Sequence, residues 1–311
     1  MASYKATMKI VFLGTGGSWP SPERNVSAVA VKRGSEVLLF DCGEGTQRQL
    51  MKSTVSFMQV SKIFITHFHG DHFLGLPGLL QSMSLNDRKE GLEIYGPEGC
   101  ADLILTIMNL GYYNPSYPVS MNDLKPGDVM EFDGYTVKVG EASHNVPALF
   151  FALEEDMRPG KFNKARALEL GIPEGRMFSQ LQSGKTVEHK GKTFTPDRVM
   201  GPPRPGRKLV YTGDTKPCGA IIEMAKNCDV LIHDATTALD LEEKANFYCH
   251  SSSRQAAETA KRANARKLFL THISPRYEET EQLEADAKAV FENSQVATDF
   301  LEYDVKYKNE E

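Results

Sequence analysis

An α/β fold is what this 311-residue chain predicts, on three observations. Short apolar runs recur along it, helical patterns separate many of them, and residues able to do chemistry stand at the carboxyl ends of the runs, where sites on open α/β sheets form. In order, "MKIVFLGT" (8–15) and "SEVLLFDCG" (35–43) read as strands and "EGTQRQLMKS" (44–53) as a helix. "SKIFITH" (61–67) is a strand with a helix, "FLGLPGLLQSMSLN" (73–86), behind it. "YTVKVGEASH" (135–144), "PALFFALEE" (147–155), "KLVYTGD" (208–214), "DVLIHDAT" (229–236) and "KLFLTH" (267–272) are further strands. "CGAIIEMAKN" (218–227) and "SSRQAAETAKRAN" (252–264) are helices among the later ones. The hexapeptides "KIFITH" and "KLFLTH" differ only by Ile/Leu exchanges, which predicts two related halves.

The apolar fraction, 41%, suffices for one large domain or two modest ones, and a single domain over residues 1–311 is expected. No run approaches the roughly 18 apolar residues of a membrane span, and "MASYKATMKIVFLG" lacks the apolar core of a secretory signal. The expectation is a soluble, cytoplasmic protein with no membrane partner. Five scattered cysteines without a C-x-x-C pair read as free thiols, so a bound metal would fall to histidine and carboxylate. The net charge of −5 is unevenly spread. Residues 158–208 hold 12 Lys and Arg against 4 Asp and Glu, while the remainder holds 24 basic and 37 acidic residues. Pro and Gly bound this segment, and its apolar residues read as too sparse for a core. It is predicted to be a basic arm inserted into the domain, against the plainer reading of a solvated loop.

The stretch "THFHGDH" (66–72) concentrates four ligand-type side chains. His67 and His69 in H-x-H spacing at a strand end share a face and can meet one ion. Asp71 and His72, beyond Gly70, can turn towards a second. Imidazole with carboxylate suits zinc, with manganese or iron as alternatives. His144, Asp214 and His272 each sit at a strand end and complete two sets: His67, His69 and His144 on one ion, and Asp71, His72 and His272 on the other. Asp214 is the bridging carboxylate. Two Zn²⁺ per chain are therefore expected, about 3.5–4 Å apart, an arrangement suited to in-line displacement at phosphorus.

These motifs resemble the metallo-β-lactamase superfamily, and "HFHGDHFLGLPGLL", "LFDCGEGTQRQL", "VYTGDT", "HDAT" and "HSSS" together resemble its ribonuclease Z family. The resemblance runs from about Lys9 to His272. It implies an αβ/βα four-layer sandwich and a zinc-dependent endoribonuclease that removes the 3′ trailer of precursor tRNA. It also implies a homodimer. It places the metal ligands on the same seven residues, the general base on Asp71, and the proton donor to the leaving oxygen on His250, oriented by Asp234. The basic arm corresponds to the family's tRNA-binding exosite. In "PSPERN" (20–25), Pro22 stands where a family loop that rejects CCA-ended tRNA carries lysine, so the resemblance does not extend to that rejection.

Several residues keep two readings. Asp41 is either a hydrogen-bond partner of a ligating histidine or part of a turn built by "CGEGT". His233 is read as packing and His189 as a solvated histidine. A phosphodiesterase of small diesters, or another hydrolase of the superfamily, is the alternative function. An inactive RNA-binding scaffold is a third, disfavoured because all seven ligand positions are filled.

Overall fold

The computed structural model describes residues 7–112 and 115–308, in two compact units. The smaller spans Glu155–Gly206; the larger is built from the chain on either side of it. In chain order the strands of the larger unit begin with β1 (Met8–Gly14), β2 (Ala28–Arg33), β3 (Glu36–Phe40), β4 (Val60–Phe64), β5 (Leu92–Pro97) and β6 (Val119–Leu124). They continue with β7 (Val129–Phe132), β8 (Tyr135–Glu141) and β9 (Leu149–Glu155). β10 (Val187–His189) and β11 (Lys192–Phe194) belong to the smaller unit. β12 (Lys208–Tyr211), β13 (Val230–Asp234), β14 (Leu268–Thr271), β15 (Ser294–Val296) and β16 (Glu302–Asp304) complete the larger.

Two seven-stranded sheets result, ordered β16-β1-β2-β3-β4-β5-β6 and β7-β8-β9-β12-β13-β14-β15. Each closes with four parallel strands, β3 to β6 in one and β12 to β15 in the other. The halves are thus related, but not as the hexapeptides suggested. Position by position β4 matches β13 and β5 matches β14, so "KIFITH" and "KLFLTH" lie on non-equivalent strands. Parallel strands buried on both faces converge on similar Ile/Leu/Phe runs whatever their place.

Burial alternates along the strands as the pleat requires. Ile10 and Phe12 point between the sheets while Val11 and Leu13 meet helices outside, and Tyr211 and Val210 divide likewise. Between the sheets Phe12 packs on Phe269 (5.0 Å between centroids), Phe64 on Phe151 (5.4 Å) and Phe40 on Tyr211 (5.7 Å). Truncating such a ring costs about 3–5 kcal/mol. Helices Thr46–Lys52, Leu76–Leu85 and Cys100–Met108 cover the first sheet through Leu50, Leu79, Met83 and Ile104. Gly219–Met224, Ser253–Arg262 and Glu281–Lys288 cover the second through Ile221, Ala256, Ala260 and Leu283. The order helix, sheet, sheet, helix gives four layers. Among the described residues no helix is long and apolar enough to cross a membrane, and all five cysteines are free.

The unit Glu155–Gly206 corrects one expectation, because it has a core of its own. Ala167, Ile172, Phe178, Leu181, Val187, Phe194 and Val199 are buried together, with Phe162 against Phe178 at 4.8 Å. Helix Lys164–Glu169 starts at Asn163, whose side chain accepts from the Arg166 N–H. A second helix, Arg176–Gln182, and the β10–β11 hairpin supply the rest. The hairpin turns at Lys190 (φ 49°) and Gly191 (φ 73°), the left-handed pair of a two-residue loop. Spaced singly among charges, the apolar residues do not announce a core; the hairpin and helix turns collect them. Lys208, at the end of the predicted arm, opens β12 instead.

Candidate metal centre

The carboxyl ends of β3, β4, β8, β12, β13 and β14 each deliver a polar side chain to one place. β4 stops at Phe64, before the histidines, so strand alternation does not aim His67 and His69 as the spacing predicted. Asp41, just past β3, does so. Its carboxylate accepts from the Thr66 N–H (2.7 Å) and Thr66 Oγ1 (3.0 Å), tying down the loop that carries both imidazoles. The one-turn helix Gly70–Phe73 then presents Asp71 and His72.

Two ligand groups form. His67 Nε2 lies 3.0 Å from His69 Nδ1, His144 Nε2 lies 3.3 Å from the same atom, and Asp214 Oδ2 lies 3.6 Å from His67 Nε2. In the second group His72 Nε2 is 3.6 Å from Asp71 Oδ2 and His272 Nε2 is 3.3 Å from it. Asp214 Oδ1 stands 3.2 Å from His72 Nε2 and 3.3 Å from His272 Nε2. One carboxylate therefore faces both groups, an oxygen to each. The donor atoms of His67, His69, His144 and Asp214 lie within 4.8 Å of one another, as do those of Asp71, His72 and His272, and those of Asp214, Asp234, His250 and His272.

Tautomers decide whether a cation fits. His72 Nδ1 donates to Asp41 Oδ2 (2.7 Å) and His144 Nδ1 to the Cys249 carbonyl (3.1 Å). His67 Nδ1 faces Thr66 Oγ1 (3.0 Å), whose own proton goes to Asp41. His272 Nδ1 faces Thr236 Oγ1 (3.1 Å), whose proton goes to Asp234. In the neutral imidazoles all four Nε2 atoms would then present lone pairs to carboxylate oxygens or to one another, which is repulsive unless a proton or a cation sits among them. His72 Nε2 and Asp214 Oδ1 are buried without a hydrogen-bond partner among the described residues. The donor set fits a metal cation held by nitrogen and oxygen.

Electrostatics agree. Burial, with His72 adding to it, pushes His67 well below the imidazole range, and burial lowers His144. Burial would raise Asp214, but His272 and His72 outweigh it and hold the carboxyl well below its usual range; Asp71 is held down in the same way by His272 and His72. Burial opposes a proton on His72, yet Asp214 and Asp41 on either side outweigh it and raise its pKa. The place between His72 and Asp214 calls for positive charge.

Beside the ligands, His250 Nδ1 lies 2.9 Å from Asp234 Oδ2. Burial disfavours its proton, but Asp234 prevails and the pKa is pushed up to about 9. Asp234 is set by the Thr215 N–H (3.1 Å) and Thr236 N–H (3.0 Å). The serines of "HSSS" are structural: Ser252 and Gln255 form a capping box on helix Ser253–Arg262, fixing where His250 enters. Left-handed backbone gathers here, at Ser18 (φ 68°), Asp41 (φ 57°), Cys249 (φ 64°) and His272 (φ 60°), conformations that cost about 1–3 kcal/mol each and persist where surrounding contacts enforce them.

All nine predicted residues come together. Asp41 takes the hydrogen-bonding role of its two readings, and His233, buried with Nδ1 on the Asp234 carbonyl, stays apart from the ligands. Thr66, Tyr211 (2.8 Å from Asp41 Oδ2) and Thr236 support the centre without a sequence signature of their own. Each adjoins a motif residue in sequence or ends its strand, the one signal that marks them.

A four-layer sandwich with such a cluster at its strand ends defines the metallo-β-lactamase fold. A family model described as "Beta-lactamase superfamily domain" matches residues 180–273, and one described as "Anti-Pycsar protein Apyc1" matches residues 8–114. Ribonuclease Z of Methanosarcina acetivorans is 49% identical over 97% of this chain and 100% of its own length. That of Archaeoglobus fulgidus is 45% identical over 96% and 98%. Among solved structures, human tRNase Z, short form, superposes with a TM-score of 0.71 at 30% identity, covering 96% of this chain and 100% of that one. The chain belongs to the ribonuclease Z family.

Proposed function

We propose that this chain is a metal-dependent endoribonuclease that removes the 3′ trailer from precursor tRNA and leaves a 3′ hydroxyl on the tRNA. The observation that carries the reading is the pair of donor groups that Asp214 faces, Oδ2 towards His67 and Oδ1 towards His72 and His272, with His250 against Asp234 at their edge. Relatives named ribonuclease Z, and a structural neighbour named tRNase Z, support RNA as the substrate.

His67, His69 and His144 would hold one zinc ion and Asp71, His72 and His272 a second, with Asp214 a ligand available to both sets. Bound there, the ions supply Lewis acidity that neutralises phosphodiester charge and acidifies water. Asp71 is the general base: Oδ2 faces its ligand set and accepts from the Ser18 N–H, while Oδ1 makes no hydrogen bond among the described residues. As water oxygen bonds to phosphorus, the bond from phosphorus to the tRNA 3′ oxygen breaks. His250 gives that oxygen its proton, and the phosphate leaves on the 5′ end of the trailer. Asp234 keeps the proton on His250 until then. The basic segment 158–208 is the tRNA exosite. Lys161, Arg176, Lys185, Lys190 and Lys192 are exposed and make no ion pair among the described residues, which leaves them for phosphates. Such contacts grip by charge and shape without reading bases. A cytoplasmic homodimer is the expected assembly.

Incubating the protein with a 3′-extended precursor tRNA in zinc or manganese buffer tests the reading. A product ending in a 3′ hydroxyl at the tRNA boundary is expected; an intact precursor in both buffers overturns it.

A further inference from the structure

We propose that Trp19 is a stacking platform for the nucleobase next to the scissile phosphate, a role that rests on the endoribonuclease reading above. The chain's single tryptophan is 63% exposed. Exposure alone says little, since single apolar side chains are common on surfaces; position says more. The Gly17 N–H donates to the Ile273 carbonyl (3.0 Å), beside His272. The Ser18 N–H, in left-handed backbone, donates to Asp71 Oδ2 (2.7 Å). Only glycine fits at position 17, where a Cβ would lie 2.5 Å from His272 Cε1. Trp19 is thus one residue beyond an amide that touches the metal centre.

Trp19 lines a cavity of about 450 Å³ with Ile273, Pro275 and Tyr277, from the segment that follows His272. That volume suits a nucleoside-sized group. The Tyr277 hydroxyl already accepts from the Ala238 N–H (3.0 Å), so its ring serves as wall. The charges are arranged against phosphate. Arg24 borders the cavity, but its Nη1 donates to Thr15 Oγ1 (2.7 Å) and the Ala297 carbonyl (2.6 Å). Asn25 is likewise committed, its N–H to Asp299 (2.8 Å) and its amide to the Glu44 carbonyl (2.8 Å). Pro22 supplies no cation, and exposed Glu23, Glu278 and Glu279 form the rim. Apolar walls and a carboxylate rim admit a base, whose exocyclic amines the carboxylates can accept, and repel a phosphate. The backbone of the RNA then stays at the metals while one base enters beside Trp19.

The base belongs either to the tRNA side or to the trailer side of the cut. Cleavage by wild type, Trp19→Phe and Trp19→Ala, on intact precursor and on precursors abasic at either flanking position, separates the two. Trp19→Ala should raise KM and lower kcat/KM roughly 10- to 100-fold at unchanged Tm, with Trp19→Phe keeping most of the activity. The penalty should vanish on the precursor abasic at the stacked position. Wild-type rates for Trp19→Ala, a Phe variant as poor as the Ala variant, or a penalty surviving on both abasic precursors would each overturn the proposal. Tryptophan emission is an independent readout, since every photon comes from position 19. Quenching by single-stranded RNA with no cleavage by wild type would remove the endonuclease reading and keep the platform; absent quenching removes the platform.

Discussion

At the metal centre, seven ligand-type side chains are buried or half-buried, and four of the five imidazoles are held in place by an acceptor on the far side. In the unit Glu155–Gly206 the side chains of interest are exposed lysines and arginines on a small apolar core, with ion pairs such as Lys164–Glu174 (2.9 Å) in the minority. The first region does chemistry that tolerates little displacement, so partners such as Asp41 and Thr236 prescribe each orientation. The second needs only a dense positive surface on a fold firm enough to carry it. Precision is built where charge must be moved, and redundancy where charge must merely attract.

Two changes should break the comparison apart. Asp214→Ala removes the carboxylate common to both donor sets, so precursor cleavage and small-diester hydrolysis should both fall by ~10³-fold or more, with metal per chain falling in parallel by elemental analysis. Deleting residues 160–205 should abolish precursor cleavage while small-diester hydrolysis survives. Equal loss of both in the deletion would deny the basic unit its role as a substrate handle.

A smaller effect sharpens the account of the centre. Asp41→Asn keeps the shape but leaves the His72 Nδ1 and Thr66 donors a weaker acceptor. Metal affinity measured by competition with a chelator should drop about 10- to 100-fold; unchanged affinity would make Asp41 a turn residue only.

The smallest concerns the proton on His250. Its folded-state pKa is raised from 6.5 to about 9, because Asp234 outweighs burial. The pair therefore adds stability that is fully present below the unfolded value and is lost as pH rises through about 9. The difference in unfolding free energy between wild type and His250→Ala should shrink between pH 7 and 10 by on the order of 1–3 kcal/mol. A pH-independent difference would dissolve the ion pair.

Much of the site was legible because its chemistry is written in residue types that rarely crowd together: three histidines and an aspartate within 67–72 admit few other purposes. Strands such as β3, β4 and β12 announced themselves as apolar runs before Asp or His. β2, "AVAVKR", and β5, "LEIYGP", did not, since small or mixed residues carry little period-2 signal before their sheet neighbours exist. The core of the inserted unit was invisible for the same reason. Arg24 and Asn25, the last two residues of "PSPERN", are tethers to Thr15, Ala297 and Asp299, a role that only the fold assigns.

By itself the sequence determined the α/β class, the crowding of ligand-type side chains at 67–72 and the charge of the inserted segment, because each depends on composition and local order, whereas His250 and Asp234 were marked only by the family resemblance. Tertiary structure alone decided that Asp214 offers one oxygen to each donor set, that Asp41, Thr66 and Thr236 choose the imidazole tautomers, and that Trp19 overlooks a cavity beside His272. Apart from Thr66 beside His67, these are relations between atoms tens to hundreds of residues apart, and they come into being only when the two sheets close over their shared core.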